Sequence, residues 1–137
     1  MSKPLILCAD DAPSFLLAWK TLLEDNGFSV LTAIDGKEAL QIFLAHPVDL
    51  VLLDYHMPGM TGAETAEHIR AAKPDIPIAL LSAEDWMPES ALEAVDAFIS
   101  KGEATSRLLE IVDHLLSVRR LFLPLPGLHP STGRKAA

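Results

Sequence analysis

Cysteine is nearly absent from this sequence: Cys8 is the one such residue in 137, so no internal disulfide can form. Positive charge is scarce as well. Lysine and arginine number 11 against 19 aspartates and glutamates, a net charge of -8 that argues against a chain built to grip nucleic acid. No charged leader followed by an apolar core marks export, and no apolar run is long enough to span a bilayer. The expected location is the cytoplasm. No internal repeat interrupts the chain, and no glycine-rich phosphate loop follows its first apolar run, where the sequence reads ADDAPS. Histidines 46, 68 and 114 lack the spacing of metal ligands and read as surface residues.

What is present is apolar material, half of all residues, in a length that suits one compact domain. Short apolar runs alternate with amphipathic stretches. The runs are LILCA (5–9), SVLTA (29–33), DLVLL (49–53), IALL (78–81) and AFIS (97–100). Continuous rather than alternating apolarity is the pattern of strands buried on both faces, as in parallel sheets. Between them, helical spacing predicts helices over 14–25, 36–45, 62–73, about 89–95 and about 104–118. The first should bury Phe15, Trp19 and Leu22, with Leu16, Leu17 and Leu23 as surplus apolar residues. Punctuation agrees: Asp35 and Glu38 read as a capping box, Asn26-Gly27 closes the first helix, and Pro47, Pro74 and Pro77 mark joins.

Five strands alternating with five helices predict an α/β fold, a doubly wound (βα)5 three-layer sandwich. Right-handed crossovers give its five-stranded parallel sheet the flavodoxin-like order 2-1-3-4-5. Ligands of such sheets bind at the carboxyl ends of the strands. That edge is where the polar residues gather: Asp10 and Asp11 after strand one, Asp54 at the end of strand three, Ser82 after strand four and Lys101 after strand five. Three carboxylates in one crevice repel one another, and a hard divalent cation relieves the repulsion. Oxygen ligands without histidine or cysteine side chains favour Mg²⁺.

The set DD (10–11), DYHMPGMTG (54–62), SAE (82–84) and the lysine at 101 resembles the receiver domain of two-component response regulators, over residues 3 to about 118. The resemblance implies a phosphoacceptor in a phosphorelay. Asp54 would take a phosphoryl group from a sensor histidine kinase or a histidine phosphotransfer protein. Mg²⁺ would be held by Asp54, Asp11 and the backbone carbonyl of His56, with Asp10 acting mainly through water. Ser82 and Lys101 would receive the phosphoryl oxygens, and Phe98 would be the aromatic that turns with Ser82 to switch contacts with a downstream protein. The family also catalyses its own aspartyl phosphorylation and dephosphorylation, though it is not a conventional enzyme.

Three features depart from the family pattern. Gly102 follows the lysine where proline is usual, the stretch from Ser82 to Lys101 is a few residues short, implying a truncated fourth helix, and Trp86 and Met87 are expected exposed in the loop before it. The rest of the chain, 119–137, is rich in proline and leucine and reads as a tail without an output domain, so a stand-alone, chemotaxis-regulator-like receiver is expected. Its apolar residues suggest packing on the domain or on a partner in a homodimer. A degenerate receiver that binds a partner without phosphorylation is the alternative. A dehalogenase-type phosphatase would need an acid at position 56, which is histidine.

Overall fold

A computed structural model describes residues 3–122 of the chain. The elements are β1 (Leu5–Ala9), α1 (Pro13–Asp25), β2 (Ser29–Ala33), α2 (Gly36–Ala45), β3 (Leu50–Asp54), α3 (Gly62–Ala72), β4 (Ile78–Ser82), α4 (Glu89–Glu93), β5 (Ala97–Ser100) and α5 (Ala104–Phe122). All strand pairs are parallel, in the order β2-β1-β3-β4-β5. This is the expected doubly wound sandwich. The fourth helix is indeed short, at 5 residues. The fifth runs past the expected end near Val118 to Phe122, and the expected packing of the tail lies outside the described residues from 123 onward.

Strand side chains alternate between the two faces of a sheet, and here the alternation builds two cores. Ile6 and Cys8 of β1, Leu50 and Leu52 of β3, Ala79 and Leu81 of β4 and Ile99 of β5 pack under α1 and α5. Leu7, Val51, Leu53, Ile78 and Leu80 face the other way, under α2, α3 and α4. Central strands β3 and β4 are buried at every position, which is why their sequences are unbroken apolar runs. Cys8 is fully enclosed, and burial pushes its thiol up to about 12, the behaviour of a small core residue rather than a reactive one.

Helix α1 buries Leu16, Trp19 and Leu23, one residue round from the expected stripe, while Phe15 is exposed and Leu22 half-buried. Both stripes fit a 3.6-residue period, because apolar residues occupy both faces. Met87 is likewise not exposed: it is buried against α4, whereas Trp86 beside it is 72% exposed. Two caps fix the helices that flank the site. Asp35 accepts from the Glu38 N–H, and the Glu38 carboxylate reaches the Ile34 N–H rather than closing the box on Asp35. Thr61 and Glu64 form a complete capping box at the start of α3. Among the described residues, no helix is long and apolar enough to cross a membrane.

Candidate functional site

The same alternation that sorts the core also sorts the polar residues at the carboxyl edge. Asp10, Asp54 and Lys101 continue the register of Cys8, Leu52 and Ile99, so they emerge toward α1 and α5. They meet there. The Lys101 ammonium lies 2.8 Å from Asp10 Oδ2 and 3.0 Å from Asp54 Oδ1. Asp10 is wholly buried and Asp54 is 4% exposed, whereas Asp11 faces solvent at the rim. Asp10 Oδ1 accepts from the Ala12 N–H, and its other oxygen has the ammonium as an ionic partner without hydrogen-bond geometry.

The carboxylates of Asp10, Asp11 and Asp54 each offer an oxygen within 4.8 Å of the others. Three formal negative charges beside one ammonium leave two unbalanced, which is the charge of one divalent cation. The donors are all hard oxygens, so the residues present fit Mg²⁺. Burial raises the Asp54 carboxyl above its ordinary value; the hydrogen bond from Lys101 lowers it, and the charges of Asp10 and Asp11 raise it further. Burial alone would lower the ammonium of Lys101, yet its close contacts with the carboxylates of Asp10 and Asp54 more than offset this, and its value is raised. Lys101 is therefore a fixed positive charge.

Asp54 is positioned by backbone that has little room to move. The Tyr55 N–H donates to the Leu81 carbonyl at 2.8 Å, and the Tyr55 carbonyl accepts from Gly62 at 2.8 Å, so the MPGMTG loop folds back on the strand end. Gly59 has φ 85°, a conformation open to glycine in the turn after Pro58. Gly62 approaches so closely that a methyl group there would overlap the Asp54 carbonyl oxygen and stand 2.8 Å from Leu80 Cδ1.

Ser82 and Phe98 belong to the opposite pleat, that of Ile78 and Leu80. Ser82 is fully buried, its Oγ accepts from the Glu84 N–H at 3.1 Å, and its carbonyl accepts from the Lys101 N–H at 2.7 Å. Phe98 is half-buried against the core beneath α3 and α4. His56 stands exposed at the mouth, its Nε2 at 3.1 Å from Glu84 Oε1, and its ring meets Tyr55 edge to face. No peptide bond among the described residues is cis, so the Lys101-Gly102 bond is trans. Sequence reasoning missed the rings around the lysine: the Phe15 centroid is 4.1 Å from Lys101 Nζ and that of Trp19 is 5.7 Å away.

Residues 6–113 match the family described as the response regulator receiver domain. Among curated relatives, the chain is 35% identical over 117 residues to the sensor histidine kinase GacS of Pseudomonas protegens, covering 80% of this chain and 13% of that one. It is 32% identical over 122 residues to the transcriptional regulatory protein PrrA of Mycobacterium tuberculosis, covering 87% and 52% respectively. The chain thus spans about half, or much less, of these relatives' lengths. Among solved structures, it is similar to a CheY-like receiver domain protein from Methanospirillum hungatei, with a TM-score of 0.82, 28% identity and 87% and 98% coverage. It also resembles the response regulator TrrA of Thermotoga maritima in complex with Mg(2+)-BeF, with a TM-score of 0.78, 36% identity and 82% and 98% coverage.

Proposed function

Because the chain belongs to the response regulator receiver domain family, we propose that it accepts a phosphoryl group on Asp54 within a two-component relay. The observation that carries this reading is the pairing of one buried carboxylate with a largely covered ammonium at 3.0 Å, at the strand edge where doubly wound sheets bind ligands. A carboxylate is a weak nucleophile toward phosphorus, so alignment and charge neutralisation must supply most of the rate. An Asp54 oxygen forms the new P–O bond as the P–N bond of a phosphohistidine donor breaks; the bonding pair stays on the imidazole nitrogen, which takes up a proton. Lys101 leaves Asp54 for a phosphoryl oxygen while keeping Asp10. The Ser82 hydroxyl, which already accepts from Glu84, still has its own hydrogen to donate to another phosphoryl oxygen.

Asp11, Asp54 and the backbone carbonyl of His56 would hold Mg²⁺, with Asp10 acting mainly through water, and the ion when bound supplies positive charge to the phosphoryl oxygens. As Ser82 moves toward the new acceptors, Phe98 turns into the space on its own pleat, and the surface of α4, β5 and α5 changes. Receiver domains interact with histidine kinases and downstream effectors. For this chain the donor is a sensor histidine kinase or a histidine phosphotransfer protein, and the altered surface engages a downstream protein target.

Intact mass after incubation with acetyl phosphate tests the reading. The expected result is a gain of one phosphoryl group that requires Mg²⁺ and is absent from Asp54→Asn. No gain in the folded wild-type protein, from acetyl phosphate or from a phosphorylated kinase, would instead favour a receiver that binds its partner without phosphorylation.

A further inference from the structure

Lys101 meets carboxylates on two sides and an aromatic ring on another. Phe15 and Trp19 lie four residues apart on α1 and so share a face of the helix. Their rings are 5.8 Å apart and tilted by 44°. Trp19 is anchored in the core under α1, whereas Phe15 is 39% exposed and is not among the buried residues of that helix. Core packing therefore does not account for Phe15. What it touches is the ammonium of Lys101, whose side chain is only 11% exposed.

The face of a phenyl ring carries partial negative charge and attracts a cation, yet it accepts no hydrogen bond strong enough to compete with a carboxylate or a phosphoryl oxygen. Such a wall draws the ammonium without holding any of its N–H groups. Lysine is a point charge on a flexible four-carbon stem, so something must restrict it if it is to be aimed before the phosphoryl group arrives. We propose that Phe15 is a positioning residue, an aromatic wall propped by Trp19 that holds the Lys101 ammonium against Asp10 and Asp54 and shields it from water. This role rests on the reading of Asp54 as phosphoacceptor. It predicts that the aromatic face, rather than the bulk of the side chain, is what the site uses.

The test compares wild type with Phe15→Leu and Phe15→Tyr, the second keeping the ring. Two readouts are taken on each: the proton resonances of the Lys101 ε-methylene, which a ring face displaces upfield, and the rate of phosphoryl uptake from acetyl phosphate at saturating Mg²⁺. Phe15→Leu should lose the upfield displacement and take up phosphoryl groups about three- to tenfold more slowly, the range a partly shielded cation–π contact supports. Phe15→Tyr should stay near wild type in both, and all three should stay folded at the assay temperature because Phe15 is outside the core. Uptake by Phe15→Leu at the wild-type rate, or equal slowing by both variants, would overturn the inference alone. If wild type shows the upfield resonance but takes up no phosphoryl group, the phosphoacceptor reading fails and the role of Phe15 falls with it.

Discussion

Asp54 is an acid held in conditions that disfavour its charge. Burial and the neighbouring Asp10 and Asp11 raise its carboxyl, and the hydrogen bond from Lys101 recovers part of that cost. An acid that binds its proton more tightly in the folded chain than in the unfolded one weakens the fold wherever it is ionised. The penalty is fully present above the folded value and disappears as pH falls through it toward the ordinary carboxylate value. Asp54→Asn should therefore be more stable than wild type at neutral pH by about 0.5–2 kcal/mol, the usual size of a single relieved conflict at a functional site. Lys101 keeps Asp10 at 2.8 Å in the variant, so the ammonium is not stranded. Urea unfolding at a series of pH values checks this: the advantage should shrink on acidification. Mg²⁺ should reverse the order, since an ion that binds only the folded wild type at a hundred times its Kd adds about 2.7 kcal/mol. A variant less stable than wild type at neutral pH would mean that the Lys101 contact outweighs burial.

Among the elements, the strands and their order were legible because buried parallel strands leave unbroken apolar runs, and because each crossover must return on a fixed hand. Helix faces were less so. In PSFLLAWKTLLED, apolar residues at 15, 16, 17, 19, 22 and 23 admit two adjacent stripes, and sequence spacing cannot choose between them. The choice is made by the sheet, which takes Leu16, Trp19 and Leu23 and leaves Phe15 beside a lysine 86 positions later in the chain (101 minus 15). The Thr61–Glu64 box was available as a T-x-x-E signal but is hidden behind the more conspicuous Pro58-Gly59 before it. The junction of β3 with α3 yields a sharp expectation. Gly62→Ala sets a methyl group against the Asp54 carbonyl, which is backbone tied into the strand end and cannot step aside. It should cost about 1–3 kcal/mol. Gly36→Ala meets the Thr65 hydroxyl, a side chain with other rotamers, and should cost less. Paired urea titrations decide the order, and a neutral Gly62→Ala would show that the loop is looser than its two backbone hydrogen bonds imply.

For the molecule as a whole, one sheet separates two jobs between its two edges. The carboxyl edge holds charge in conflict, while the opposite edge is tied together by charge in agreement, and this second arrangement was invisible in the sequence because it joins residues 44 and 70 positions apart. Asp49, just before β3, accepts the Leu5 N–H of β1 on one carboxylate oxygen at 2.8 Å, and its own N–H donates to the Leu5 carbonyl at 2.8 Å. Arg119, in the extension of α5 beyond its expected end, donates to both the carbonyl and the other carboxylate oxygen of Asp49, each at 3.2 Å. One acid thereby links two central strands to the last helix. Its side chain is 40% exposed, so simple Coulomb attraction contributes little; the gain comes from two shared hydrogen bonds on an arginine that is itself mostly covered. A double-mutant cycle with Arg119→Ala and Asp49→Ala should return a coupling of about 1 kcal/mol in global stability. Phosphoryl uptake by the Arg119→Ala protein should match wild type, since the link lies at the far edge of the sheet from Asp54. Additive losses would mean that the Arg119 and Asp49 side chains act independently and that the arginine holds the helix end, if at all, through the Asp49 carbonyl. Altered uptake in a folded Arg119→Ala protein would mean that the two edges are coupled through the sheet.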